Sequence, residues 1–221
     1  MFDHGTWHRL PVTAARGAGM VAFVALTVVA SSVIGLNGAG AADVADIVYF
    51  CSSCHGPDGR SPSPMFPRLA GQQKDYIIAQ LKDFRDNTRT APHAQSYLDY
   101  LVMWGLVPLL DTPIADAVAA FYASQPPVPG EPAASPEIAA GRRIYTEGIP
   151  SESIPACISC HGPRAQGNDS IPRLAGQYQA YLARQLEAFA AWARQNVIMH
   201  ANAMNLNPEQ ISQVTAYLAT L

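Results

Sequence analysis

Apolar positions recur at three- and four-residue steps in two stretches of the chain. Tyr76, Ile77, Gln80, Leu81 and Phe84 form one set; Tyr181, Leu182, Gln185, Leu186 and Phe189 form the other. That period places each set on one face of a helix. Each half then closes on a further helix, Ile114 to Ser124 entered through Pro113 and Glu209 to Thr220 entered through Asn207-Pro208. Proline fits the first helical turn, where its missing N–H costs nothing, and a capping residue ahead of it marks the start. "AVAAFYASQ" and "QVTAYLATL" are therefore counterparts, and Ser135-Pro136 caps a third segment, "EIAAGRRIYTEG". No alternation of useful length predicts a strand. The pattern predicts an all-α protein.

The helices belong to a duplicated unit. "CSSCHGPDGRSPSPMFPRLAGQ" begins at Cys51 and "CISCHGPRAQGNDSIPRLAGQ" at Cys157, and from "PRLAGQ" as far as the phenylalanine the copies align without a gap, Leu69 with Leu174 and Phe84 with Phe189. Between them, "PPVPGEPAAS" has four prolines and reads as a semi-rigid, extended linker. The expected organisation is a targeting segment over 1–42, a domain over 43–125, a linker over 126–135 and a second domain over 136–221. In the first segment Arg9 and Arg16 precede "MVAFVALTVVASSVIGL", and Ala39-Gly40-Ala41 fits a small-residue cleavage site. The apolar run approaches the roughly 20 residues that span a bilayer. A cleaved signal and a retained membrane anchor both fit, and both export the remainder.

Composition narrows the reading. A chain of 221 residues that is 49% hydrophobic and 14% charged is neither disordered nor a multi-span membrane protein. The net charge of −3, with no basic block, argues against a nucleic-acid partner. Each predicted domain has under ninety residues, a size at which a small core often needs a staple.

The four cysteines all fall inside two Cys-x-x-Cys-His motifs. Cysteines three apart on a helical turn share one side, from which they form thioethers to the two vinyl groups of haem. The next residue, a histidine, then sits beneath the iron: this is the c-type attachment signature. A zinc site needs a second ligand pair per motif, and no cysteine remains to supply it. A redox dithiol needs a βαβ setting, which this chain lacks. A disulfide framework leaves both histidines unexplained. The cofactor expected is therefore two covalently bound haem c groups.

The sixth ligand sets what such an iron does, since methionine closes it for electron transfer and an open position admits substrates. Met103 and Met199 stand at matched positions, each seven residues before a leucine (Leu110, Leu206) ahead of the closing helix. His200 and His93 compete for the role. Met65 lies too near its own motif, and Met204 has no counterpart and is read as packing. Arg68 and Arg173 either pair with haem propionates or are solvated. Pro67, Pro172, Leu69 and Leu174 wall the haem on the histidine side. Tyr76, Tyr181, Trp104 and Trp192 are read as core or haem-packing aromatics.

The paired CxxCHG motifs, P-R-LAGQ, Y-x-x-x-QL-x-x-F, the methionine before an "AxYxxxL"-type helix and the proline-containing linker resemble the cytochrome c-4 family over about residues 43–221. The resemblance implies two tandem class I cytochrome c domains facing each other and a periplasmic dihaem electron carrier with His/Met ligation. Carried over, it makes Cys51, Cys54, Cys157 and Cys160 the attachment sites, His55 and His161 the proximal ligands, and Met103 and Met199 the distal ones. Three departures stand out: Asp46 occupies a position often held by glycine, an insertion lengthens the interval from Phe84 to Met103, and the Gly-x-Arg stretch usual after each phenylalanine is absent. The leading expectation is a non-enzymatic shuttle between a quinol-oxidising complex or dehydrogenase and a terminal oxidase. The alternatives are a cytochrome subunit tethered to a membrane complex through the N-terminal segment, and a dihaem peroxidase or sulfur-compound oxidoreductase.

Overall fold

Start signals read in the sequence become helices in the computed structural model, which describes residues 44–90 and 101–221. The first half contains α1 (Val44–His55), α2 (Lys74–Arg85), α3 (described over 101–106, then a 3₁₀ turn, Val107–Leu109) and α4 (Thr112–Ser124). The second contains α5 (Pro136–Glu147), α6 (Ile158–His161), α7 (Gln179–Ala190), α8 (Val197–Ala203) and α9 (Pro208–Ala219). Caps are where the sequence places them. Ser135 Oγ accepts from the Ile138 N–H at 3.1 Å, and Asn207 with Gln210 forms a reciprocal capping box on α9. At α4 the cap is Asp111, one residue earlier than expected, and its Oδ1 accepts from the Ile114 N–H at 2.9 Å.

Among the described residues no helix is long and apolar enough to cross a membrane, and residues 1–43, which hold the candidate signal or anchor, lie outside them. Among the described residues only isolated bridges occur in place of strands; one of them joins Arg89 to Arg194. Gly40–Leu221 forms a single compact unit holding both halves. Within it each half has its own core: Leu81, Phe84, Val118 and Tyr122 in the first, and Tyr145, Leu182, Val214 and Leu218 in the second. The chain between Gln125 and Pro136 has neither helix nor strand and lies along the C-terminus, where the Gly130 N–H donates to Leu221 O at 2.7 Å.

The halves differ at their openings. In the second, α5 crosses α9 at Gly141, where an added Cβ would come 1.8 Å from the Gln213 carbonyl oxygen, so only glycine permits the approach. Ile144 and Tyr145 on the same helix are buried, and the Tyr145 hydroxyl donates to Gly162 O at 2.6 Å. In the first half α1 runs straight into the cysteine motif and buries only His55; Asp46, on its first turn, lines an open cavity instead. Tyr49 is left 81% exposed.

Candidate functional site

The two histidines that end α1 and α6 are buried and held alike. His55 Nδ1–H donates to Pro67 O at 2.9 Å and His161 Nδ1–H to Pro172 O at 3.1 Å. Each bond fixes the tautomer and leaves Nε2 with its lone pair free for a metal. Burial holds both imidazoles below the usual histidine range, partly offset by the proline carbonyls. The rings are therefore neutral at pH 7, the state a ligand needs. The expectation that the two prolines wall the histidine side thus has a specific form: their carbonyls set the imidazoles.

Both histidines line one continuous cavity of about 1130 Å³, with Cys51, Cys54, Met103 and Met199 on its wall. That exceeds the roughly 300–1,000 Å³ of a site for one small ligand. Burial raises both Cys51 and Cys157, the latter to about 11, so these thiols are protonated rather than poised as metal thiolates. Among the described residues no three His, Cys, Asp or Glu side chains cluster to hold a metal by themselves.

Met199 is placed by the cap of α8, where Asn196 Oδ1 accepts from its backbone N–H at 2.9 Å. Met103 packs against the first core from the described part of α3. Phe84 and Arg89 align with Phe189 and Arg194, so the insertion falls between Arg89 and Met103, largely on residues 91–100 outside the description. His93 falls there too. His200 is not on the cavity wall; its Nδ1–H donates to Phe189 O at 2.8 Å and its ring meets Trp192 edge-on. Met204 is exposed rather than packed, and so are Trp104 and Trp192, whereas Tyr76 and Tyr181 do line the cavity.

Two residues that the sequence pattern did not single out dominate the cavity's electrostatics. Arg89 and Arg194 are buried, face the cavity and exchange partners across the halves. Arg89 donates to Gln80 Oε1 (2.8 Å), Tyr181 Oη (2.9 Å) and Gln185 Oε1 (3.1 Å). Arg194 donates to Gln185 Oε1 (2.9 Å), Tyr76 Oη (2.7 Å) and Gln80 Oε1 (2.5 Å). Their guanidiniums lie over Phe84 and Phe189. Every one of these acceptors is neutral, and among the described residues neither arginine has a salt bridge. Burial and the like charge of Arg89 pull Arg194 down, yet a guanidinium keeps its proton in proteins. Two buried cations of this kind favour an anion in the cavity beyond the Asp83 carboxylate on its wall; haem propionates would supply it, so the residues present fit the group.

These arginines correct one reading of the sequence. The Gly-x-Arg stretch is not lost; only its glycine is. Asn87 and Trp192 occupy the glycine positions with φ of 56° and 60°, the left-handed region, and the arginine follows two residues later. The Arg68 guanidinium donates to Gly176 O at 2.5 Å and stacks on Tyr178, and the residue is partly buried on the cavity wall. Arg173 is half-buried on the wall.

The "PRLAGQ" copies meet each other. The Arg68 N–H donates to Gln177 Oε1 (3.0 Å) while Gln177 Nε2–H donates to Arg68 O (3.0 Å). In mirror fashion the Arg173 N–H donates to Gln72 Oε1 (2.8 Å) and Gln72 Nε2–H to Arg173 O (2.9 Å). The repeat of the glutamine in the sequence was visible; its partner was not.

The chain is similar to known proteins. The protein-family model for cytochrome c matches residues 138–221. Cytochrome c4 of Thiocapsa roseopersicina is 39% identical over 181 residues, 77% of this chain and 86% of that one. The thiosulfate dehydrogenase electron acceptor of Thiomonas intermedia is 34% identical over 177 residues, 76% and 77% of the two chains. The solved structure of Acidithiobacillus ferrooxidans cytochrome c4 superposes with a TM-score of 0.70 at 37% identity, covering 77% of this chain and 98% of that one. The helical architecture accordingly is that of two tandem class I cytochrome c units.

Proposed function

The chain belongs to the cytochrome c4 family of dihaem electron-transfer proteins, and from that premise we propose that it is an exported carrier whose eight ligating side chains are those marked by the duplicated motifs. Two covalently bound haem c groups are its cofactors. Cys51 and Cys54 would hold one and Cys157 and Cys160 the other, and His55, Met103, His161 and Met199 would ligate the irons. When bound, the haem iron supplies one-electron exchange between its ferric and ferrous states. The protein's own part is positional. The proline carbonyls aim each imidazole, Asn196 sets Met199 through the α8 cap, the apolar walls exclude water, and Arg89 and Arg194 would neutralise the propionates. Methionine ligation leaves no vacant position for substrate.

The observation that carries this reading is the pair of buried, neutral histidines, each immediately after a Cys-x-x-Cys, with matched methionines on the wall of the same cavity. A single cavity lined by both histidines and both methionines would suit one-electron exchange between the two halves. The donor we assign is a quinol-oxidising complex or a dehydrogenase and the acceptor a terminal oxidase, on the periplasmic side. The similarity to a thiosulfate dehydrogenase electron acceptor favours the dehydrogenase arm.

The purified protein should retain two haems per chain after acid-acetone extraction and show the weak methionine-to-ferric-iron band. Met199→Ala and Met103→Ala should each remove part of that band and lower one midpoint potential. Substantial turnover of peroxide or thiosulfate by the undamaged protein alone would overturn the carrier reading.

A further inference from the structure

We propose that each half tunes the haem of the other half: Gln177 sets the donor strength of His55, and Gln72 that of His161. The inference rests on the two histidines being axial ligands and concerns what stands behind them. His55 Nδ1–H donates to the carbonyl of Pro67. That carbonyl belongs to the same peptide plane as the Arg68 N–H, which donates to Gln177 Oε1. The plane is therefore loaded at both ends, with His55 on its oxygen and a side chain of the second half on its nitrogen. His161, Pro172, Arg173 and Gln72 repeat the arrangement in the other direction.

The amide orientations are not arbitrary. Each glutamine meets an N–H with one atom and a C=O with the other, on one and the same residue across the interface, so a flipped amide would lose both bonds. Each Oε1 also accepts from the next backbone N–H, Tyr178 at 3.1 Å and Gln73 at 2.9 Å, which pins it further. Both glutamines are buried, where water cannot replace them.

An acceptor on a peptide N–H polarises the amide and makes its oxygen a better acceptor, strengthening the next bond in the chain by roughly 10–30%. A stronger acceptor on Nδ1–H raises the basicity of the imidazole, and a more basic ligand favours ferric over ferrous iron. Gln177 therefore lowers the potential of the haem on His55, although it is chemically part of the other half. A glutamine serving only as an interface clamp would affect both haems alike, since both line one cavity. The crossed pattern separates the two roles.

The test uses the reduced, diamagnetic full-length protein, with the histidine Nδ1–H resonances followed by NMR and each haem's potential by stepwise titration. Gln177→Leu should move the His55 Nδ1–H upfield and raise that haem's potential, leaving His161 in place. Gln72→Leu should do the converse. Gln177→Glu keeps an acceptor for the Arg68 N–H and should return the His55 proton to its parental position or beyond. Movement of both histidines together, of the histidine in the glutamine's own half, or of neither would overturn the proposal. Should Gln177→Leu fail to fold, Gln72→Leu and Gln177→Glu decide it. An error in the ligation reading would show separately, as a parent protein lacking the two ligand histidine signals.

Discussion

Replacing a buried cation gives opposite results depending on whether an anion faces it, which makes Arg194→Met the sharpest probe of this cavity. Methionine preserves most of the volume and the contact with Phe189 but removes the charge. Arg194 makes three hydrogen bonds to neutral oxygens, worth about 1 kcal/mol each net. Desolvating an uncompensated charge costs several kcal/mol, so without an anion the substitution would be neutral or stabilising. With a propionate facing it, the substitution strands a buried carboxylate, and breaking such a pair costs about 3–5 kcal/mol. For a chain of this size 1 kcal/mol corresponds to roughly 2–4 °C in Tm, so a loss of about 3 kcal/mol lowers the holoprotein's Tm by roughly 6–12 °C. The stranded negative charge should also lower at least one midpoint potential. Thermal unfolding followed in the Soret band, together with a redox titration, reads both. An Arg194→Met protein as stable as its parent, with unchanged potentials, would refute the anion assignment.

Other outcomes follow from single contacts. Gly141→Ala should destabilise by about 1–3 kcal/mol through overpacking, despite the better helix propensity of alanine, because the nearest atoms to its Cβ are backbone atoms of Gln213 and Val214; calorimetry checks this. Tyr145→Phe should cost about 1 kcal/mol, since it removes the bond to Gly162 O in a fully buried setting, and denaturant unfolding measures it. His55 and His161 have folded pKa values below that of an unfolded histidine. Below about pH 6.5 the unfolded chain binds more protons than the native one, so stability should hold above neutrality and fall as pH drops, in urea midpoints measured across pH 5–8.

The helices were legible because their signals are local. Ser135, Asn207 and the prolines after them mark starts that need no tertiary context, and the steps from Tyr76 to Phe84 suffice to define a buried face. The cysteine motifs were legible because a covalent attachment constrains spacing. Arg89 and Arg194 were harder to see, since the expected pattern depended on a glycine that asparagine and tryptophan replace here in the same left-handed backbone. Their alignment five residues after Phe84 and Phe189 was the available signal. The exchange between Gln72 and Gln177 was illegible in principle, because nothing local says that a side chain's partner lies in the other copy of its own motif.

That exchange also accounts for why "PRLAGQ" is written twice. In each copy the proline carbonyl holds the histidine of its own half, the arginine N–H and C=O receive the glutamine of the other half, and the copy's own glutamine reaches back. A contact of this kind is satisfied only if both surfaces carry the same residues in the same register, as at a two-fold interface. Here a change in one glutamine leaves an amide and a carbonyl of the opposite half buried without partners, at about 1–3 kcal/mol for each group. The aligned arginines add the same constraint a second time through Gln80, Gln185, Tyr76 and Tyr181. The helix α1 of the first half, which lacks the close crossing, supplies no side chain to these reciprocal contacts.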